Sequence, residues 1–226
     1  MASEDFLYPL PKISEIFDQF NGAKWFTTLD LVRGYWQIAM DENSIKLTTF
    51  ITPFGQFEFV VMPFGLKQAP GWFQLLMNDV LKSEIGRICV VYLDDVIIYS
   101  KTLEDHIQNV RTVFNRIRKA ILQIKKKKCH FFKKVISFLG HLISEHGIQT
   151  DPEKTATMDK VQPPTDLKGV QSILGLFNYY RNFVPDFAKI ASPIYKLLKK
   201  GIKIVWTEEC QKALDILKTR MVQAPY

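Results

Sequence analysis

Apolar positions change their spacing several times along this chain, and each change marks an element. Ile13, Ile16, Phe17 and Phe20 recur at helical intervals behind Pro11, and Asn21-Gly22 ends the run, so a short helix is expected. The next stretch, Trp25-Phe26-Thr27-Thr28-Leu29-Asp30-Leu31, is rich in aromatic and Thr residues and suits a strand with Asp30 near its end. From Thr48 to Met62 the pattern is a hairpin: Pro53-Phe54-Gly55 is turn chemistry, and Phe57, Phe59 and Val61 alternate after it. Helical spacing returns behind Pro70 at Phe73, Leu76, Met77, Val80 and Leu81.

From Cys89 to Tyr99 the apolar run CVVYLDDVIIY is broken only by Asp94 and Asp95, which reads as two short strands meeting at a tight acidic turn. Thr102 with Asp105 resembles a capping box, and behind it Leu103, Ile107, Val110, Phe114, Ile117 and Ile121 predict an amphipathic helix of about five turns that covers the sheet. The lysine run Lys125 to Lys128 leads into CHFFKKVISFLGHLIS, whose β-branched and aromatic content with Gly140 suggests one or two strands. Pro152, Pro163 and Pro164 make Thr150 to Thr165 the candidate subdomain boundary. Beyond it, Val170, Ile173, Leu174, Phe177 and Tyr180 mark a helix ending by Pro185. Ser192-Pro193 is expected to start a short helix that runs to Lys199-Lys200-Gly201, and a last helix spans Glu208 to Met221, ahead of Ala224-Pro225-Tyr226.

Composition narrows the class. With 226 residues and 47% hydrophobic content the chain can bury a substantial core, which excludes a disordered chain. A net charge of +7 favours an anionic partner, a phosphate backbone being the obvious one, though many proteins are this basic without one. Cys89, Cys129 and Cys210 are odd in number and widely spaced, so neither a disulfide framework nor a zinc ribbon is expected, and a reducing compartment fits. No stretch approaches the roughly 18 apolar residues of a membrane span, and the first residues lack the basic start and apolar core of a secretion signal. The expectation is an intracellular, non-secreted protein.

The acidic pair is the strongest anomaly. Desolvating two adjacent carboxylates costs several kcal/mol each unless a cation compensates. At a turn both side chains can approach one ion, and Asp30 at another strand end could complete a cage. Such hard oxygen ligands suit Mg²⁺ or Mn²⁺, and two such ions clamp the attacking and leaving oxygens of a phosphoryl transfer. The alternative is a polar hairpin tip in solvent. Cys129, His130, His141 and His146 lack the paired spacing of a zinc site.

Wider motifs weigh on that choice. Tyr92-Leu93-Asp94-Asp95 resembles the YxDD box of reverse transcriptases, and the stretch from Leu29 through Asp30, Gly34 and Tyr35 to Ile38 resembles the upstream aspartate motif of the gypsy class of long-terminal-repeat retrotransposons. Val61-Met62-Pro63-Phe64-Gly65-Leu66-Lys67-Gln68-Ala69-Pro70 is similar to the VMPFGLxxAP signature of that class. Lys128-Cys129-His130-Phe131 with Phe138-Leu139-Gly140-His141 resembles its thumb stretch, and Leu174 to Arg181 with Phe183-Val184-Pro185 its connection region; Trp206-Thr207 fits too. These motifs stand in the family's order from Tyr8 onward. Gly71-Trp72 departs from the small-residue-then-Thr pairing that commonly follows the family's AP.

The resemblance implies an α+β fold: a right-hand polymerase palm, with an antiparallel sheet backed by helices, followed by thumb and the start of the connection. It divides the chain into palm with partial fingers (1–100), last palm helix and palm-to-thumb strands (101–150), and a helical thumb and connection region (151–226). It implies an RNA-directed DNA polymerase that joins a dNTP to a primer 3′ hydroxyl on an RNA or DNA template, using two Mg²⁺ ions for which Mn²⁺ can substitute. Asp30, Asp94 and Asp95 would hold the ions, Asp30 and Asp94 being the firmer ligands, with the Leu31 carbonyl contributing. Tyr35 would lie under the sugar and exclude a 2′ hydroxyl, Phe64 and Gly65 would line the nucleotide pocket, and Leu66 and Tyr92 would meet template or primer; for Phe64, Gly65 and Leu66 the other reading is ordinary core packing. Lys125, Lys126, Lys127 and Lys128 would contact the duplex backbone, where their other reading is a solvated basic face. The same resemblance places this chain within a larger Pol polyprotein, in the cytoplasm (a virus-like particle) or nucleus. Finger strands with triphosphate-gripping Lys and Arg, and a ribonuclease H domain, would lie outside it. A catalytically impaired nucleic-acid-binding module is the alternative function.

Overall fold

A computed structural model describes residues 8–199 and 201–223; Lys200 and the Ala224-Pro225-Tyr226 end lie outside the described residues. The chain forms two compact units, one ending at Ile136 and the other starting at Ser137. The division falls inside the middle one of the three segments expected above.

In the first unit, α1 (Ile13–Asp18) leads to β1 (Trp25–Asp30), followed by a short helix α2 (Glu42–Ile45), the hairpin β2 (Phe50–Thr52) and β3 (Gly55–Phe57), and α3 (Ala69–Val80). Then come β4 (Cys89–Tyr92), β5 (Asp95–Ser100), the long helix α4 (Leu103–Lys119) and β6 (His130–Lys133). The central sheet has the order β4-β5-β1-β6. Both β1–β5 and β4–β5 are antiparallel, as expected. One face of the sheet carries Leu29, Val91, Val96 and Ile98 against Phe73, Met77 and Leu81 of the α3 region and Val113 and Ile117 of α4. Fully burying such side chains contributes roughly 1.5–3 kcal/mol each, so this packing fixes the strand ends that carry the aspartates.

α4 starts where the capping box predicts, the Thr102 hydroxyl accepting from the Asp105 N–H at 3.1 Å. Its buried face keeps the middle of the expected stripe, with Ile117 buried and Val110 and Phe114 packed against the core, and adds His106 and Val113; Ile107 is 41% and Ile121 87% exposed, and Ile121 lies past the helix end with φ 60°. His106 belongs to the face because its ring bridges two hydroxyls beneath it: Nε2 lies 2.8 Å from Thr27 Oγ1 and Nδ1 3.0 Å from Ser100 Oγ. The expected hairpin is also shorter than its alternation suggested. After Phe57 the chain leaves β2, and residues near Val61 pair instead with those near Ala39, Met40 N–H donating to Val60 O at 3.0 Å and Met62 N–H to Ile38 O at 2.9 Å.

The second unit holds β8 (β7 being Val135–Phe138 at its border and β8 His141–Ser144), β9 (Gly147–Thr150), α5 (Pro152–Asp159), α6 (Leu167–Tyr179), α7 (Phe187–Lys196) and α8 (Glu208–Gln223), with the sheet order β7-β8-β9. α7 begins five residues before the expected Ser192 and carries Pro193 inside it. Its stripe Phe187, Ala191 and Ile194 is continuous across the proline; burial of that face outweighs the one backbone bond that proline cannot donate. His141 is a core residue, stacked on Phe183 with ring centroids 5.1 Å apart and bonded through Nδ1 to Leu139 O at 2.6 Å.

Candidate active site

Strand register brings the three aspartates to one edge of the central sheet. Asp30 closes β1 directly opposite Asp95, which opens β5, and Asp95 in turn faces Tyr92 at the end of β4. Leu93 and Asp94 are therefore the two residues of the connecting turn. Leu93 takes φ 54°, a conformation that suits Gly far better than a branched side chain. Strain of this kind persists only where neighbours hold it. Here the holder is Gln74 of α3, 1% exposed, whose Oε1 accepts from Leu93 N–H at 2.8 Å. The Gln74 amide N–H groups reach Val91 O at 3.2 Å and Asn78 Oδ1 at 2.9 Å, so one buried side chain ties the helix to the end of β4 and to the first residue of the turn.

The turn aims Asp94 at a second tight place. Gly34 follows Arg33, which has φ 48°, and opens a short 3₁₀ turn running to Gln37. A Cβ on Gly34 would stand 3.0 Å from Asp94 Oδ1 and 3.1 Å from Phe73 Cζ, so the absent side chain is the room that the carboxylate uses. Asp94 Oδ1 is buried and finds no hydrogen-bond partner among the described residues. Tyr35, next in line, packs its ring against Phe64 at 5.3 Å and Phe73 at 5.7 Å.

The electrostatics follow from this crowding. Burial raises the pKa of Asp94, the Asp30 charge raises it further, and Lys128 opposes both. Asp95 is likewise raised, by burial first, then by Asp30 and Asp94, again with Lys128 in opposition. Tyr35 is raised by burial and by the Asp94 charge.

Lys128 reaches this edge because segment 123–128 runs beside residues 30–32. Val32 N–H donates to Gln123 O at 3.0 Å and Lys125 N–H to Asp30 O at 2.8 Å. Neither bond uses the Leu31 carbonyl. Gln37 clamps the pair of segments, its Nε2 donating to Val32 O at 2.8 Å and its Oε1 accepting from Gln123 N–H at 2.6 Å. From the turn so anchored, Lys128 Nζ donates to Asp30 Oδ2 at 3.1 Å. Among the described residues no three His, Cys, Asp or Glu side chains converge closely enough to hold a metal ion as they stand. The donor chemistry nonetheless fits a divalent cation: Asp94 and Asp95, whose pKa values are raised by burial and by the neighbouring Asp30 charge, and one buried oxygen that finds no partner among the described residues.

Other expected positions are spread more widely. Phe64 is 55% and Leu66 39% exposed, on the loop before α3 where Gly65 takes φ 94°, so neither is packed in the core. Lys125, Lys126 and Lys127 are exposed around a short 3₁₀ turn. Gln74 stands in none of the motifs, and Gly34 and Gln37 have no signal in the sequence beyond their place in the upstream aspartate motif. Gln74 had one available signal, a polar residue inside the apolar arc of Phe73, Met77 and Leu81. The other two act through contacts that only the folded backbone creates.

A family model described as "Reverse transcriptase (RNA-dependent DNA polymerase)" matches residues 2–143. The Pol polyprotein of transposon 297 from Drosophila melanogaster is 40% identical over 219 residues, covering 96% of this chain and 21% of that protein. That of transposon gypsy, from the same organism, is 42% identical over 192 residues, covering 85% and 19%. Among solved structures, the foamy viral protease-reverse transcriptase dRH in complex with double-stranded DNA gives a TM-score of 0.88 at 28% identity, covering 97% of this chain and 39% of that one. The foamy viral enzyme with an RNA/DNA hybrid gives 0.78 at 31% identity, covering 89% and 27%. The chain thus spans about a fifth of the curated relatives' length, and its α+β architecture is that of the palm and thumb of the foamy viral enzymes. With a turn that carries two carboxylates opposite a third, and with matches across nearly its whole length, this chain belongs to the reverse transcriptase family.

Proposed function

We propose that this chain carries the nucleotidyl-transfer centre of an RNA-directed DNA polymerase, with Asp30, Asp94, Asp95 and the Leu31 carbonyl as ligands of two Mg²⁺ ions, or Mn²⁺ in their place. The observation that carries this reading is Asp94 Oδ1, buried without a partner among the described residues on a turn that Gln74 holds against its own strain. A protein does not ordinarily leave such an oxygen unpaired, because the desolvation cost of a charged group exceeds 1–3 kcal/mol. Bound there, divalent ions would supply charge neutralisation to the attacking and leaving oxygens of the phosphoryl transfer. The chain's own residues do the positioning: Gln74 sets the turn, Gly34 leaves room for the carboxylate, and Tyr35, braced by Phe64 and Phe73, presents a flat wall for the nucleotide sugar. Phe64, Gly65 and Leu66 would line the nucleotide and template side, Tyr92 the primer side, and Lys125, Lys126 and Lys127 the duplex backbone, with Lys128 engaged on Asp30.

On this reading residues 1–100 are palm with partial fingers, 101–150 the last palm helix and palm-to-thumb strands, and 151–226 thumb and connection. The partners are primed RNA or DNA template and dNTPs, within a Pol polyprotein that includes ribonuclease H, in the cytoplasm or nucleus. No helix among the described residues is long and apolar enough to cross a membrane. Primer extension with Mg²⁺ and with Mn²⁺ tests the proposal: incorporation is expected, and Asp94→Asn should reduce it at least about a thousandfold, the scale on which lost transition-state electrostatics register. The second reading is a binding module, supported by the Lys128–Asp30 pair and by carboxylates that do not converge on one point. Absence of incorporation alongside salt-sensitive duplex binding would favour it.

A further inference from the structure

The Lys128–Asp30 contact is built differently from an ordinary surface ion pair. Such pairs join two long, mobile side chains and contribute little. Here the cation is delivered by a turn whose backbone is bonded to the same aspartate it neutralises: Lys125 N–H donates to Asp30 O at 2.8 Å, Lys128 N–H donates to Lys125 O at 2.9 Å, and Lys128 Nζ closes the ring on Asp30 Oδ2 at 3.1 Å. Gln37 holds the adjoining strand segment in place through Gln123 and Val32. The Lys128 charge also acts on both Asp94 and Asp95, as the opposing cation in each case.

We propose that Lys128 is an internal counter-cation of the carboxylate edge, which competes with a divalent ion for Asp30 and is displaced from Oδ2 when that ion binds. The inference rests on the metal-site reading above and adds to it a residue that sets how readily the site loads. Its chemistry is simple competition. A carboxylate oxygen that accepts a charge-assisted hydrogen bond at 3.1 Å has less to offer a metal ion, and a fixed positive charge beside three carboxylates weakens their attraction for a second cation. Lys128 is therefore a positioning residue. It holds the Asp30 carboxylate in place through the Nζ–Oδ2 contact, and confines tight loading to conditions where the incoming substrate brings further negative charge.

The test is Mn²⁺ binding to the full chain, without nucleotide or nucleic acid, followed by electron paramagnetic resonance of the free ion. Lys128→Met should bind Mn²⁺ about three- to tenfold more tightly than the parent, on the Coulomb scale for partly exposed charges. Lys128→Arg, which keeps the charge, should stay near the parent, and so should Lys82→Met, which removes the same formal charge on the turn after α3. In EDTA Lys128→Met should melt below the parent, and saturating Mn²⁺ should close the gap; a merely structural lysine would show the deficit without the tighter binding. Equal or weaker Mn²⁺ binding by Lys128→Met, while Asp94→Asn abolishes binding in the parent background, would overturn the role of Lys128 and leave the metal site standing. If no variant showed Mn²⁺ binding sensitive to Asp94, the metal site would fall and this inference with it.

Discussion

At the acidic turn a single buried amide decides where Asp94 points. Leu93 holds a positive φ, and its N–H donates to Gln74 Oε1. Gln74→Leu should leave that N–H unpaired, costing about 1–3 kcal/mol of stability, and should lower primer extension more than its loss of folded protein explains, as parallel melting and activity measurements would reveal. Gly34 makes a complementary case. An added methyl group meets Asp94 Oδ1 at 3.0 Å and can be absorbed by a small shift, whereas the branched side chain of Gly34→Val cannot. Polymerase activity should fall modestly for Gly34→Ala and severely for Gly34→Val. The raised pKa values of Asp94 and Asp95 carry a pH consequence with a definite sign. The folded protein holds these protons to higher pH than the unfolded chain, so stability in EDTA should decline as pH rises from the ordinary 3.8 through the raised values. Asp94→Asn cannot ionise and should flatten that decline in a series of melting curves.

Between elements, the junction of α4 with the sheet depends on a polar device. His106 is completely buried and bridges Thr27 of β1 and Ser100 of β5, while Phe132 N–H donates to Thr27 Oγ1 at 3.2 Å and Asn109 Nδ2 to Ser100 Oγ at 2.8 Å. One helix residue thus links β1, β5 and β6. Burial lowers its pKa from 6.5 to about 4. The folded state therefore favours the neutral ring, and the stability this contributes is complete above 6.5 and lost as pH falls towards 4, by on the order of 3 kcal/mol. His106→Gln, which cannot take up a proton, should remove that acid-limb loss from a stability-against-pH profile, at the cost of a lower plateau. The element boundaries themselves show where local signals suffice. Thr102 capped α4 as its side-chain chemistry requires, yet the helix face turned towards His106 because two hydroxyls waited below it, and no periodicity within residues 103–121 encodes those. Pro193 is a similar case: read locally it starts a helix, but the Phe187, Ala191 and Ile194 stripe carries α7 through it.

For the molecule as a whole, the charge of +7 gains meaning from its placement. Lys125, Lys126 and Lys127 stand exposed on the turn that the sheet edge anchors. If they meet duplex phosphates, replacing all three with Ala should weaken binding to any sequence and reduce the slope of log affinity against log salt by roughly 2–3, as a titration across salt concentrations would measure. The sequence by itself determined most of the element order, the strand ends that carry Asp30, Asp94 and Asp95, and the family, because apolar periodicity, turn residues and ordered motifs are properties of short stretches of chain. Tertiary structure alone decided that Gln74 pins the turn, that Gly34 is the space beside Asp94, and that one lysine out of a run of four lies on Asp30. Those facts depend on which backbones come within about 3 Å of one another after packing, and hydrogen-bond geometry at that range has no signature in spacing along the chain.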